Sequence, residues 1–230
     1  MSRCLMTPEQ CDGSGFLYDD ATNTAYDCPC RPQLLARNRA RSLSGSIPKL
    51  YRDKSFAQLE GSTINPRVLS DVKRFADRID ANLDAGRGLW LMGGTGTGKT
   101  TLAMLVSKAA LAAGRTVGIY SLPDLLRVIR HTFEADAHQA MFEQLVSVDL
   151  LHIDDIGAEQ TTPWVIEELY SIVNARYEEQ RSMVITTNIL DANELRSQIT
   201  ERTVSRLTEM CDEVLVEGED HRMGFQSRAV

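Results

Sequence analysis

The chain has 230 residues, 43% hydrophobic and 25% charged. That length fits one full domain plus an appendage, and that composition excludes a wholly disordered or collagen-like polymer. A formal net charge of -7 also excludes a protein that coats nucleic acid over its whole surface, so any such contact must come from a local patch.

No apolar run reaches the roughly 18 residues of a membrane helix. The first residues, with Cys4, Glu9, Cys11 and Asp12, lack the apolar stretch of a secretory leader. The expected compartment is the cytoplasm, with no membrane partner. There the five cysteines are free or metal-bound rather than bridged.

Residues 1–31 form the first expected unit. Its first 30 residues carry one base, Arg3, against Glu9, Asp12, Asp19, Asp20 and Asp27. Cys4, Cys11, Cys28 and Cys30 are spaced C-x6-C-x16-C-x-C. Tetrahedral zinc takes two ligand pairs separated by a loop, and a segment this short and core-poor needs a staple to fold. Structural zinc is the leading reading. Unligated thiols on a tail, or a redox dithiol, are the alternatives.

Residues 32–62 read as a short basic helix and linker. Positions 31–54 hold Arg31, Arg37, Arg39, Arg41, Lys49, Arg52 and Lys54 against Asp53 alone, with Ser42, Ser44, Gly45, Ser46 and Pro48 breaking any long helix. This stretch is either a solvated connector or a strap for phosphates or an acidic partner.

From residue 63 to 230 the pattern predicts a nucleotide-binding core. Val72, Phe75, Ile79 and Leu83 predict one helix face, ended by Gly86 and Gly88. Apolar runs at 88–92, 116–120, 149–157, 182–188 and 213–216 predict five strands. Between them lie predicted helices at 99–113, 122–133, 138–146, 163–180 and 193–199, with another from Glu201 to Met210. The first of these carries an apolar stripe of Leu102, Leu105, Val106, Ala109 and Ala113, and Gly114 caps it. Apolar strands alternating with helices predict a parallel sheet covered on both faces.

Gly93-Gly94-Thr95-Gly96-Thr97-Gly98-Lys99-Thr100 matches G-x-x-x-x-G-K-[ST] between a predicted strand and a predicted helix, with Thr101 following. The glycines let successive N–H groups turn toward phosphate oxygens, and the helix start adds its positive end. Lys99 supplies a point charge for the β- and γ-phosphates, and Thr100 a hydroxyl for Mg²⁺. His152-Ile153-Asp154-Asp155 ends the third strand of this core, where strand ends face a ligand crevice. Asp154 is expected to hold Mg²⁺, and Asp155 to act as general base or water-orienting acid. Asn188 ends the next strand with an amide suited to the attacking water or the γ-phosphate. Arg202 and Arg206 lie four apart on one helix face. An arginine given to a neighbour's nucleotide requires an oligomer; the alternative is a surface arginine paired with Glu201 or Glu209. Cys211 reads as a buried small hydrophobe. His131, His138, His152 and His221 read as structural or surface residues.

Together IPKLYRDKSFAQL (47–59), GGTGTGKTTLA (93–103), LLHIDDIG (150–157), ITTN (185–188) and ERTVSRLTEMC (201–211) resemble the bacterial helicase-loader ATPases, the DnaC/DnaI and IstB group of the AAA+ superfamily. The resemblance spans residues 47–223. It implies an α/β P-loop NTPase core with a parallel sheet ordered 5-1-4-3-2, Walker A at 93–100 and Walker B at Asp154 and Asp155. It also implies sensor I at Asn188 and a trans-acting arginine finger at Arg206 with Arg202 beside it. Fourteen residues follow the fifth strand, Glu217 to Val230, too few for a helical lid. The group is similarly short there, and Arg222 is a weak candidate for the second sensor. Asp155 stands where many AAA+ ATPases carry Glu, which implies slow hydrolysis, although this group often has Asp. The cysteine segment resembles the small N-terminal modules of many of these proteins.

The implied function is an oligomeric ATPase that engages single-stranded DNA, with Arg127, Arg130 and His131 as candidate contacts, and delivers a replicative hexameric helicase. The alternatives are an IstB-type transposition helper, a phage or plasmid loader, and an ATP-binding module without hydrolysis. A small-molecule P-loop kinase would need an acceptor pocket and a lid, for which the sequence offers no candidate.

Overall fold

The computed structural model describes residues 14–19, 24–31, 47–132, 135–157, 162–218 and 220. Cys4, Cys11, the basic stretch 32–46 and Arg222 lie outside them.

The N-terminal piece is an antiparallel hairpin of β1 (Phe16–Asp19) and β2 (Thr24–Asp27), which the sequence reading did not anticipate. The Cys28 N–H donates to the Gly15 carbonyl at 3.0 Å, and the Arg31 guanidinium lies 4.1 Å from the Phe16 ring centre. Cys28 is buried and Cys30 partly so.

Two short helical turns, α1 (Lys49–Arg52) and α2 (Phe56–Leu59), lead into the core. A reciprocal Ser55–Gln58 capping box starts α2. Phe56 and Leu59 pack against the core, so packing begins a few residues before position 63. Lys108 donates to the Tyr51, Arg52 and Lys54 carbonyls and ties down the end of the linker.

Next come α3 (Pro66–Asp77) and α4 (Ile79–Asp84), where the spacing predicted one helix. Asn65 caps α3 with Pro66 in the first turn. The break falls at Arg78, and the Asn82 side-chain amide donates to the Phe75 carbonyl at 2.9 Å across it. The apolar face still runs through, with Val72, Phe75, Ile79 and Leu83 all buried.

The remaining elements are β3 (Gly88–Met92), α5 (Lys99–Ala112), β4 (Val117–Ser121), α6 (Leu122–His131), α7 (Ala135–Ser147), β5 (Leu150–Asp154), α8 (Pro163–Glu178), β6 (Ser182–Thr187), α9 (Ala192–Ile199), α10 (Glu201–Met210) and β7 (Cys211–Leu215). Five parallel strands run β4-β5-β6-β3-β7. Numbered within the core and read from the other edge, that is the 5-1-4-3-2 order. The interior strands β3, β5 and β6 are apolar on both faces and feed two cores alternately, whereas the edge strand β7 exposes Asp212 and Glu213. Leu89, Leu91, Leu150 and Val184 face the layer of α3, α4 and α5. Trp90, Leu151, Ile153, Met183 and Ile185 face the layer of α6 to α10. The helix α5 is buried almost all round rather than along one stripe, taking in Ala103, Met104, Ser107 and Ala110. Cys211 is buried, as its apolar reading requires. Among the described residues no helix is long and apolar enough to cross a membrane.

One buried charge organises the lower edge of the sheet. Arg176 in α8 is fully buried and donates to the carbonyls of Leu145 (2.7 Å), Val146 (3.0 Å), Asp149 (3.4 Å) and Ser182 (2.6 Å). It thereby joins the end of α7 and the entry to β5 with the start of β6. Replacing it with leucine leaves those carbonyls without a donor. Arg176→Leu is expected to lower stability by about 3 kcal/mol, read by urea unfolding; an unchanged midpoint would contradict this role.

Candidate nucleotide site

The loop 93–98 leaves β3 at the sheet's C-terminal edge and turns into α5. Gly96 (φ 76°) and Gly98 (φ 99°) sit in the left-handed region, which glycine enters freely. The Asp220 carboxylate lies against Gly96, so close that a β-carbon there would strike it. Thr97 Oγ1 donates to the Gly94 carbonyl at 3.0 Å, and Lys99 Nζ donates to the same carbonyl at 2.6 Å. Lys99 is only 5% exposed. The loop is thus curled on itself with its cation inside.

Thr100, in the first turn of α5, donates from Oγ1 to Asp154 Oδ2 at 3.1 Å. Asp154 ends β5, two strands away from β3, and its other oxygen accepts from Thr186 Oγ1 at 2.7 Å. Burial raises the Asp154 carboxyl, but His152, Thr186 and Thr100 more than offset this and hold it below the usual carboxylate range. Asp154 is therefore an anion at neutral pH. The paired hydroxyl and carboxylate oxygens are the hard donors that suit Mg²⁺.

Asp155 has φ 65°, unusual for a side-chain-bearing residue though tolerated by aspartate. Its N–H donates to Thr186 Oγ1 at 2.8 Å, and its carboxylate accepts from the Asn188 side-chain amide. Asn188 follows directly after β6, so the two residues expected on neighbouring strand ends do meet. Thr187 Oγ1 donates to the Ile156 carbonyl at 2.7 Å and fixes the turn beyond.

Thr186 is the residue that the sequence reading undervalued. It is 1% exposed, and its one hydroxyl serves both Asp154 and Asp155. The available signal was a threonine inside an apolar strand, which needs a partner once buried. His152 and Ser107 were passed over in the same way.

Other expected residues lie apart from this cluster. The Arg206 guanidinium sits over the Tyr170 ring at 4.9 Å and the Tyr177 ring at 5.6 Å, both on α8 of its own chain, and Arg202 is exposed. Arg127 pairs with Asp124 at 2.9 Å, and Arg130 lies 4.6 Å from the Trp164 ring centre. Cys28 and Cys30 are described but Cys4 and Cys11 are not. Among the described residues no group of three or more His, Cys, Asp or Glu could hold a metal.

Residues 37–229 match the family model of IstB-like ATP binding proteins. The chain is 27% identical over 183 residues to the replicative helicase loader DnaC of Buchnera aphidicola subsp. Schizaphis graminum, covering 76% of this chain and 73% of that one. It is 24% identical over 179 residues to the replicative helicase loader DnaI of Bacillus subtilis, covering 76% and 57%. The crystal structure of the DnaC helicase loader superposes with a TM-score of 0.60 at 25% identity, over 77% of this chain and 98% of that one. The family match spans most of the sequence and the superposition covers most of the chain: this chain belongs to the IstB-like ATP-binding proteins, the DnaC/DnaI-like group of AAA+ P-loop folds.

Proposed function

We propose that this chain is an ATP-dependent loader that binds ATP with Mg²⁺, hydrolyses it slowly as an oligomer, engages single-stranded DNA and delivers a replicative hexameric helicase in the cytoplasm. The observation that carries the ATP-dependent part is the contact between Thr100 and Asp154 beside buried Lys99. The partner assignment rests on the likeness to loaders named DnaC and DnaI.

The residues divide the work. N–H groups of Gly94 to Thr101 cradle the β- and γ-phosphates, with Gly93 opening the loop. Lys99 exchanges the Gly94 carbonyl for phosphate oxygen. Thr100 and Asp154 hold the magnesium ion, whose charge offsets that of the phosphates when bound. Asp155 accepts a proton from the attacking water, and Asn188, already bonded to the Asp155 carboxylate, orients both. Aspartate reaches less far than glutamate, which favours slow turnover and suits a timing switch. Arg206, whose guanidinium lies over the Tyr170 and Tyr177 rings of α8, serves the nucleotide of a neighbouring copy.

Cys4, Cys11, Cys28 and Cys30 hold a structural zinc, with the latter two at the foot of the hairpin. This module and the basic stretch after it would face the helicase. The family match favours one alternative, an IstB-type transposition helper with the same ATPase core. Co-purification of a ring-shaped helicase supports the loader, whereas a transposase in its place supports the helper.

Asp155→Asn is expected to keep ATP binding by calorimetry and lose about 100-fold or more in turnover. No uptake of adenine nucleotide by the folded parent protein would end the proposal. Arg206→Ala and Lys99→Ala should each be inactive alone. Mixed together they should regain turnover, because each contributes what the other lacks; a silent mixture would count against an arginine acting between copies. Chelation should hasten proteolysis within residues 1–30 and leave the ATPase core intact. A cleavage pattern that ignores the chelator would contradict the zinc assignment.

A further inference from the structure

Behind Asp154 the sheet buries a second polar pair that the scheme above does not use. His152 and Asp154 are two apart on β5 and so share a face. Thr100 and Ser107 lie two turns apart on α5 and face them. Ser107 and His152 are both 0% exposed, with Ser107 Oγ 3.0 Å from His152 Nδ1. His152 Nε2 is buried without a hydrogen-bond partner, 3.9 Å from Asp154 Oδ1. This face of the sheet belongs to the apolar layer of Leu102, Val106, Leu150 and Val184, and Val184 pairs with His152 across β5 and β6. Their mutual hydrogen bond offsets part of the cost of burying an imidazole and a hydroxyl in such a layer, and the Nε2 end is left uncompensated.

Electrostatics selects the tautomer. A proton on Nδ1 would turn the Nε2 lone pair toward a carboxylate. A proton on Nε2, with the Ser107 hydroxyl donating to Nδ1, turns an N–H toward it instead. Nε2 then backs the same Asp154 oxygen that Thr186 holds, while Oδ2 stays turned to Thr100. A shift of about 1 Å closes the gap to hydrogen-bond length. We propose that His152, fixed by Ser107, is a positioning residue that sets the orientation of the Asp154 carboxylate for magnesium. This rests on the nucleotide-site reading above.

The test separates metal affinity from nucleotide affinity. His152→Leu removes the donor and is expected to raise the Mg²⁺ concentration for half-maximal ATP uptake about 10-fold, as loss of an outer-shell partner typically does. Nucleotide affinity in EDTA should not change. His152→Gln, whose amide can reach a similar place, should restore the Mg²⁺ dependence. Unchanged Mg²⁺ dependence in His152→Leu overturns the proposal, and so does an equal loss of affinity with and without Mg²⁺. If the leucine variant does not fold, the ¹⁵Nε2 resonance of His152 in the parent protein decides. It should move when Mg²⁺ is added to ATP-loaded protein, and a stationary resonance overturns the assignment. Failure of the parent itself to take up ATP would instead remove the underlying site.

Discussion

The structure turns on one contact between elements far apart in sequence, the Thr100 hydroxyl on Asp154. It exists because of the strand order. The chain leaves β3 in the sheet's interior and must reach β4 at the far edge, so α5 crosses over β6 and β5 on the way. That crossing lays the first turn of α5 against the end of β5. A crevice at such a reversal of strand order is where open α/β sheets take their ligands.

The polar residues at this edge are expensive to bury, and several are held by more than one partner. Thr186 serves two aspartates with a single hydroxyl. Lys99 is folded back onto the carbonyl of its own loop. Arg176, at the opposite edge, meets four carbonyls. The apolar layers above and below the sheet supply the driving force that these desolvations oppose. The same low-dielectric surroundings strengthen each polar contact once it forms, which keeps the acidic strand ends fixed rather than splayed.

Much of this was legible in the sequence, for reasons tied to particular residues. The loop 93–100 carries its spacing in contiguous residues, and the strands from 88 to 187 are apolar runs whose burial follows from composition alone. The order of the strands was not legible by periodicity and came from the likeness to a family. The break at Arg78 was hidden because the apolar face continues across it, while the Asn82 amide on the Phe75 carbonyl that bridges it joins residues seven apart. The β1–β2 hairpin was missed beneath the cysteine pattern, although Phe16-Leu17-Tyr18 and Thr24-Ala25-Tyr26 flank a short stretch rich in polar residues. Thr186 and His152 were underread because a buried polar residue declares its purpose only through a partner on another element.

Asp155 shows how local strain and long-range contact serve one end. Its left-handed backbone stops β5 one residue after Asp154 and swings the two adjacent carboxylates apart. Asp154 turns to Thr100 and Thr186, and Asp155 to Asn188. In continued β geometry the two side chains would also point to opposite faces, but then Asp155 would enter the apolar layer lined by Ile153 and Ile156. The positive φ avoids that burial. The Thr186 hydroxyl, accepting from the Asp155 N–H at 2.8 Å, holds the residue in the uncommon conformation. One threonine on the neighbouring strand thus fixes both the carboxylate suited to a cation and the carboxylate suited to a proton, and keeps their roles distinct.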